Sequence, residues 1–345
     1  MTAAAPRRKL PSWAPQAFGY CLSAICLFWV LHNYNFHELV PAIRSLDWWW
    51  VSAAVLCDLS VYIAHGIRWN TLLEPVAKLR LWRTVQSIYI GLFANEVLPL
   101  RVGELIRCYL LAYWSGLNLS VTFASAAVER MIDGFWMLAA FLITTIFVKK
   151  IPRDLTILVQ LLGGLLLVSC ATLVWVIKHK QHAHTVIRES KWAAALRHVV
   201  EGLHLMGNRR TLARTALISL VYLLLQYLTV YMLMRAFLLD YSFWVAAGVL
   251  TIVRLATVVP NAPGNIGLGN IACVMAMKLF DLDDNDAKTF SIILFGALTL
   301  PLLLGGAVAT ALTGSRIGEL RDRARQGLEA QTARPPAPAS TPPVQ

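Results

Sequence analysis

Three groups of ionisable residues interrupt otherwise apolar stretches of the chain. The first is Asn95-Glu96 followed by Arg101, Glu104 and Arg107. The second is Glu129, Arg130 and Asp133, and the third is Arg254 followed by Asn261, Asn265 and Asn270. Charges in such surroundings are costly, so they pair, line a polar path or serve a site. Glu129 and Asp133 are four apart and share a helix face, with Arg130 beside it. Arg101, Glu104 and Arg107 recur every third residue and lie along one stripe. Two readings follow from these residue types. In one, carboxylates and arginines only neutralise each other and pin helices together. In the other, guanidinium groups in excess of carboxylates join helix N-terminal N–H groups in a cradle for phosphate or carboxylate. The candidate substrate-binding set is Asn95, Arg101, Glu104, Arg107, Glu129, Arg130, Asp133 and Arg254. Glu96 and Arg107 also read as interfacial side chains reaching for the head-group region. Asp58 and His65 are seven apart on another apolar run, as expected of either a proton relay or an interhelical hydrogen bond.

The elements that must position these residues are apolar helices. Hydrophobic residues make up 57% of the 345-residue chain and charged residues only 14%, about half of what a soluble domain carries. Runs of roughly 20 apolar residues can satisfy their backbone in a bilayer only as helices. The expected fold class is an all-α integral membrane protein with six full spans: Ala14–Leu31, Trp48–Ile67, Val121–Val148, Leu155–Ile177, Leu212–Leu239 and Lys288–Leu312. Two further apolar stretches are broken mid-run. Val85–Tyr113 is broken around Pro99 and Gly103, and Trp244–Leu279 around Pro260, Pro263, Gly264 and Gly267. The arms on either side are too short to span, and broken backbone at membrane depth must be buried in protein or line a wet cavity. Both stretches are therefore expected to be re-entrant helical hairpins. Pro99 to Gly103 and Pro260 to Gly264 share a Pro-x-x-x-Gly spacing, each followed by a short helix, a polar turn and a long apolar run. That shared context predicts an inverted repeat whose broken elements meet near the midplane.

The net charge of +12 is distributed in short loops and tails, not as a basic stripe interleaved with aromatics, so it speaks for membrane orientation and against nucleic acid. With the N-terminus inside, Arg7, Arg8 and Lys9, then Arg68, Lys78, Arg80 and Arg83, then the basic segment 178–211 and the C-terminal arginines all fall on the cytoplasmic side. The turn with Asp281, Asp283, Asp284 and Asp286 falls outside, and Lys149 and Lys150 are discordant. The expected organisation is a cytoplasmic tail 1–13, a transmembrane domain 14–312 with a basic amphipathic cytoplasmic loop 178–211, and a cytoplasmic tail 313–345 that is largely disordered, above all after Gly327. All six cysteines lie in apolar segments without a CxxC spacing, as expected of packing residues. His179, His182 and His184 read as part of a solvated basic loop. No metalloprotease, nucleophile-elbow or Walker motif is present, so no catalytic residue, metal or cofactor is assigned.

Three blocks carry a family resemblance: Asn95-Glu-Val-Leu-Pro-Leu-Arg-Val-Gly-Glu104-Leu-Ile-Arg107, Val128-Glu-Arg-Met-Ile-Asp133, and Pro260-x-x-Pro-Gly264-x-x-Gly267. In this order they resemble the flippase-like transmembrane domain of lysylphosphatidylglycerol synthases, over about residues 14–312. Where that family often reads Pro-Gly-Gly-x-Gly-x-x-Glu, this chain has Asn265 for the second Gly and Asn270 for the Glu. The aminoacyl-transfer domain of the synthases is absent, so lipid aminoacylation is not expected. The resemblance implies translocation of a lipid with an anionic or zwitterionic head group across a bacterial inner membrane. The alternatives are a membrane enzyme using Glu129 and Asp133 as acid and base in polyprenyl-, hopanoid- or glycolipid synthesis, or an accessory subunit partnering such enzymes.

Overall fold

The computed structural model describes residues 34–98, 102–147, 206–257 and 265–332, with scattered positions in 24–32 and 157–204 and side chains up to Thr313. Among the described residues every element is helical: α1 (Phe36–Ser45), α2 (Trp48–Leu73), α3 (Leu81–Val97), α4 (Gly103–Ser115), α5 (Leu119–Phe147), α6 (Arg209–Ala236), α7 (Phe243–Ala256), α8 (Leu268–Leu279) and α9 (Asp284–Thr332). Three are long and apolar enough to cross a membrane, namely α2, α6 and the Asp284–Thr313 part of α9. Their outward faces carry apolar stripes at helical spacing: Leu56, Ile63 and Ile67 on α2, Leu217, Val221 and Leu224 on α6, and Leu300, Leu304, Val308 and Leu312 on α9. Such stripes are wrong for water and right for lipid. α5 is also 29 residues long, but it carries Glu129 and Asp133 inward, with Arg130 beside them. The spans expected at Ala14–Leu31 and Leu155–Ile177 and the loop 178–211 lie essentially outside the described residues.

Each of the two broken stretches is a pair of short helices packed on one another. α3 (17 residues) packs on α4 (13 residues), and α7 (14 residues) packs on α8 (12 residues). At about 1.5 Å per residue each arm is shorter than the roughly 30 Å of a hydrocarbon core. The first pair closes through two glycines. A Cβ on Gly91 would sit 2.7 Å from both Gly103 O and Arg107 Cβ, and one on Gly103 would overlap Gly91 O. Asn95 completes the closure, its Oδ1 accepting from the Gly103 N–H at 2.8 Å and so capping α4. In the second pair Asn270 has the matching duty, accepting from Gly267 N–H at 3.1 Å and donating to Ser291 Oγ on α9 at 3.0 Å.

Packing follows one scheme twice. α2 and α6 lie along each other at the centre. α2 packs on α3 as α6 packs on α7, and α4 packs on α5 as α8 packs on α9. The halves then exchange: α5 crosses to α7, and α9 crosses to α3. The scheme is unchanged when α2–α5 is swapped with α6–α9. Each half has its own apolar core, one around Trp69, Leu72, Ile88, Leu111 and Val128, the other around Val230, Met234, Val249, Met277 and Phe290.

Three boundaries differ from the sequence expectation. α2 continues past Ile67 to Leu73, which carries Arg68 into the protein instead of a cytoplasmic loop. Its continuation is driven by Trp69, Leu72 and Leu73, all fully buried. The short helix α1, begun by an Asn35 side-chain cap on His37 N–H at 3.3 Å, was not foreseen because it lies between two apolar runs. The last helix extends to Thr332, past Leu312 and a few residues past Gly327, where the Pro- and Ala-rich composition reads as disordered.

The Gly91–Gly103 contact makes a direct stability prediction. Gly103→Ala should cost about 1–3 kcal/mol by overpacking, read as a lower Tm in detergent. Gly296→Ala, where an added Cβ meets nothing within 4 Å, should leave Tm unchanged or raise it.

Candidate functional site

The three helices α2, α4 and α5 meet over a closed ring of six charges that alternate in sign. Arg68 Nε reaches Glu129 Oε1 at 3.1 Å, and Glu129 Oε2 reaches Arg107 Nη1 at 3.1 Å. Arg107 Nη2 meets Glu104 Oε2 at 2.8 Å, and Glu104 Oε1 meets Arg130 Nη2 at 2.5 Å. Arg130 Nη1 lies 3.7 Å from Asp133 Oδ2, and Asp133 Oδ1 returns to Arg68 Nη1. Three guanidinium groups and three carboxylates make the ring neutral, the condition under which charges survive in a low dielectric.

Local sequence explains how each member is aimed. Glu129 and Asp133 sit one turn apart on α5 and straddle Arg68, while Arg130, on the adjacent edge, turns to α4. Glu104 and Arg107 are one turn apart on α4 and share a bond of 2.9 Å from Nε. Aromatic rings hold the guanidinium planes. Arg68 lies over Tyr222 at 4.5 Å and Arg107 over Trp69 at 4.5 Å, and Trp69 is fixed by its Nε1–H donating to Ser125 Oγ at 2.8 Å. Cations desolvated on aromatic faces gain more than exposed ones. His65, one turn before Arg68–Trp69, packs on Tyr222 at 5.3 Å, and its Nε2 lies 3.2 Å from Arg107 Nη1 and 3.6 Å from Glu129 Oε2.

Burial runs as a gradient around the ring. The side chains of Arg68 and Glu129 are fully buried and that of Arg107 nearly so, whereas Glu104 is 32% exposed and Arg130 52% exposed. One edge is thus a dry electrostatic anchor, and the other, Glu104–Arg130–Asp133, opens outward. At the open edge Arg130 has the accessible guanidinium. Arg107, a cradle candidate by its sequence setting, is instead engaged by Glu129, Glu104 and Trp69.

The remaining sequence candidates fall in other places. Asn95 caps α4 at the first break. Arg254, on α7, donates to Gln226 Oε1. Gln226 is one turn along α6 from Tyr222, the residue that carries Arg68, so Arg254 belongs to the second half's side of the same central helix pair. Gly103 and Gly267 are described, whereas Pro99, Arg101, Pro260, Asn261, Pro263 and Gly264 lie outside the described residues. Arg68 is the member of the ring that the sequence reading missed. Its signal was present: Asp58, His65, Arg68-Trp69 and Leu72 continue one helix face beyond the point where charge was taken to end the span.

An all-helical membrane protein with paired broken helices and a charge ring among α2, α4 and α5 is the class that fold and site define. A family model, the lysylphosphatidylglycerol synthase TM region, matches residues 16–306. The chain belongs to that family. A UPF0104 membrane protein of Methanothermobacter thermautotrophicus is 22% identical over 265 residues, covering 69% of this chain and 75% of the relative. The UPF0104 membrane protein MJ1078 of Methanocaldococcus jannaschii is 24% identical over 221 residues, covering 60% of this chain and 92% of the relative.

The ring predicts a strong asymmetry between breaking and replacing it. Glu129→Gln leaves two buried arginines undercompensated and should cost about 3–5 kcal/mol, measured as loss of thermal stability in detergent. Arg68→Met combined with Glu129→Met should cost clearly less than the sum of the single changes.

Proposed function

We propose that the protein moves a lipid with an anionic or zwitterionic head group from one leaflet to the other, with no covalent chemistry on it. The observation that carries this reading is the burial gradient of the charge ring, which places an accessible guanidinium, Arg130, between two partly exposed carboxylates, Glu104 and Asp133. A lipid phosphate can take Arg130 from Glu104 by a charge-assisted hydrogen bond, and a head-group amine can take the freed carboxylate. Arg68, Arg107 and Glu129 stay behind as the rigid base that keeps Arg130 aimed. Membership of a family described by the transmembrane part of a lipid-modifying synthase agrees with a membrane-lipid substrate.

In this reading α3–α4 and α7–α8 are re-entrant hairpins entering from opposite faces, the first from the cytoplasm, and the two halves form an inverted repeat in a bacterial inner membrane with both termini cytoplasmic. The support is the shortness of the arms and the packing scheme that survives exchange of the halves. Alternation between outward- and inward-open states would then rock one half on the α2–α6 contact. Arg254 with Gln226 supplies the corresponding polar step in the second half. An acid–base role for Glu129 fits the geometry less well, because both of its oxygens are taken up by arginines.

The test is a leaflet assay with the purified chain in liposomes carrying fluorescent phosphatidylglycerol. The parent should move the probe without added enzyme, and Arg130→Ala should slow it by about tenfold or more, as expected for loss of one charge-assisted hydrogen bond. Equal rates in parent and Arg130→Ala would remove Arg130 from the path, and no movement by the parent would turn the reading toward an accessory or enzymatic role.

A further inference from the structure

Asp58 is a buried carboxyl that the charge ring does not use. It sits on α2, 6% exposed, and its Oδ2 has no hydrogen-bond partner. Among the described residues no lysine, arginine or histidine pairs with it. Its surroundings are phenolic. Tyr62 lies one turn along α2 from it, and the Tyr62 ring lies 4.9 Å from that of Tyr89 on α3. Cys57, next to it, donates to Leu225 O on α6 at 3.3 Å.

The groups facing this position from each packed helix are few. α3 presents Tyr89, and α6 presents Tyr222, whose ring lies 5.3 Å from that of His65, three residues beyond Tyr62. α9 presents the bare backbone of Gly305 against Tyr89. The charges of α5 engage α2 only at Arg68 and His65, and Arg68 is ten residues on, about 15 Å along the helix. Among the described residues no cation pairs with Asp58 to compensate its ionised form. A buried carboxylate oxygen without a donor is strongly disfavoured when charged, so this arrangement accommodates the neutral acid. An arrangement that opens the α2–α3–α9 junction to water would accommodate the carboxylate.

We infer that Asp58 is a proton-binding site coupled to the conformational change: a proton from water adds to Oδ2 as the junction closes around it and returns to water as the junction opens. Linkage makes this reciprocal, since a conformation that favours the proton is in turn favoured by it. The connection to the charge ring is physical. Asp58, Tyr62 and His65 follow one another along one face of α2, and His65 and Arg68 both lie on the Tyr222 ring. The use of the proton rests on the lipid-transport reading, whereas its binding does not.

Two measurements on the full chain separate these. Infrared difference spectra across a pH titration should show a protonated-carboxyl band that vanishes in Asp58→Asn and shifts in Asp58→Glu. In liposomes with fluorescent phosphatidylglycerol, an imposed pH gradient should change the rate of probe movement in the parent. In Asp58→Asn that response should be lost while movement itself persists. A band untouched by both substitutions, or an intact pH response in Asp58→Asn, would overturn the inference. Should Asp58→Asn fail to fold, the band shift in Asp58→Glu decides. A parent that moves no lipid but shows the Asp58 band would sink the transport reading and leave the proton site standing.

Discussion

One carboxylate clasped by two buried arginines sets the terms for the rest of this molecule. Glu129 brings α5 against α2 through Arg68 and against α4 through Arg107, and none of these three side chains meets solvent to any extent. Desolvating such groups singly would cost several kcal/mol each, so the three helices can bury them only together and in one register. That requirement explains the aromatic supports, Tyr222 and Trp69, which fix the guanidinium planes where an aliphatic neighbour would let them turn. It also explains why Gly91 and Gly103 bring α3 and α4 into backbone contact, since Arg107 reaches Glu129 only if α4 is seated against its partner.

The two halves of the chain are built alike but charged differently. The first gathers its buried charges in a closed ring, whereas the second uses amides beside its ions: Gln226 receives Arg254, Asn270 joins Gly267 to Ser291, and the buried Lys288 pairs with Asp284. Asn270 stands where family members often carry a glutamate. Its two hydrogen bonds show what an uncharged residue gives there, a firm cap on α8 and a tie to α9, without a carboxylate that would need a cation of its own.

The sequence revealed the class of fold and the two breaks because both rest on local rules: apolar length for spans, and proline and glycine for interruption. It also pointed to Glu104, Arg107, Glu129, Arg130 and Asp133, which converge in the structure, because charges in apolar runs are conspicuous. Arg68 was hidden by the same rule, since a basic residue at the end of an apolar run is the ordinary sign of a loop, and only the long-range partners on α5 make it interior. Pairing was equally out of reach. An excess of arginine donors was expected from residues near in sequence, whereas the third carboxylate, Glu104, and the path through Arg130 close the ring across 26 residues. Arg254 likewise found its acceptor on a helix 28 residues earlier.

The junction of α9 with α3 adds a mechanical consequence. Gly305 and Gly306 face the rings of Tyr89 and Phe93 with no side chain of their own, so this seam is aromatic surface on naked backbone. Few rotamers are frozen when it forms and few are released when it parts. Helices joined by interlocked ridges must climb over one another to slip; here the register of α9 on α3 is held instead by Gln86, whose amide donates to Ala309 O at 3.3 Å and Thr313 Oγ1 at 2.6 Å.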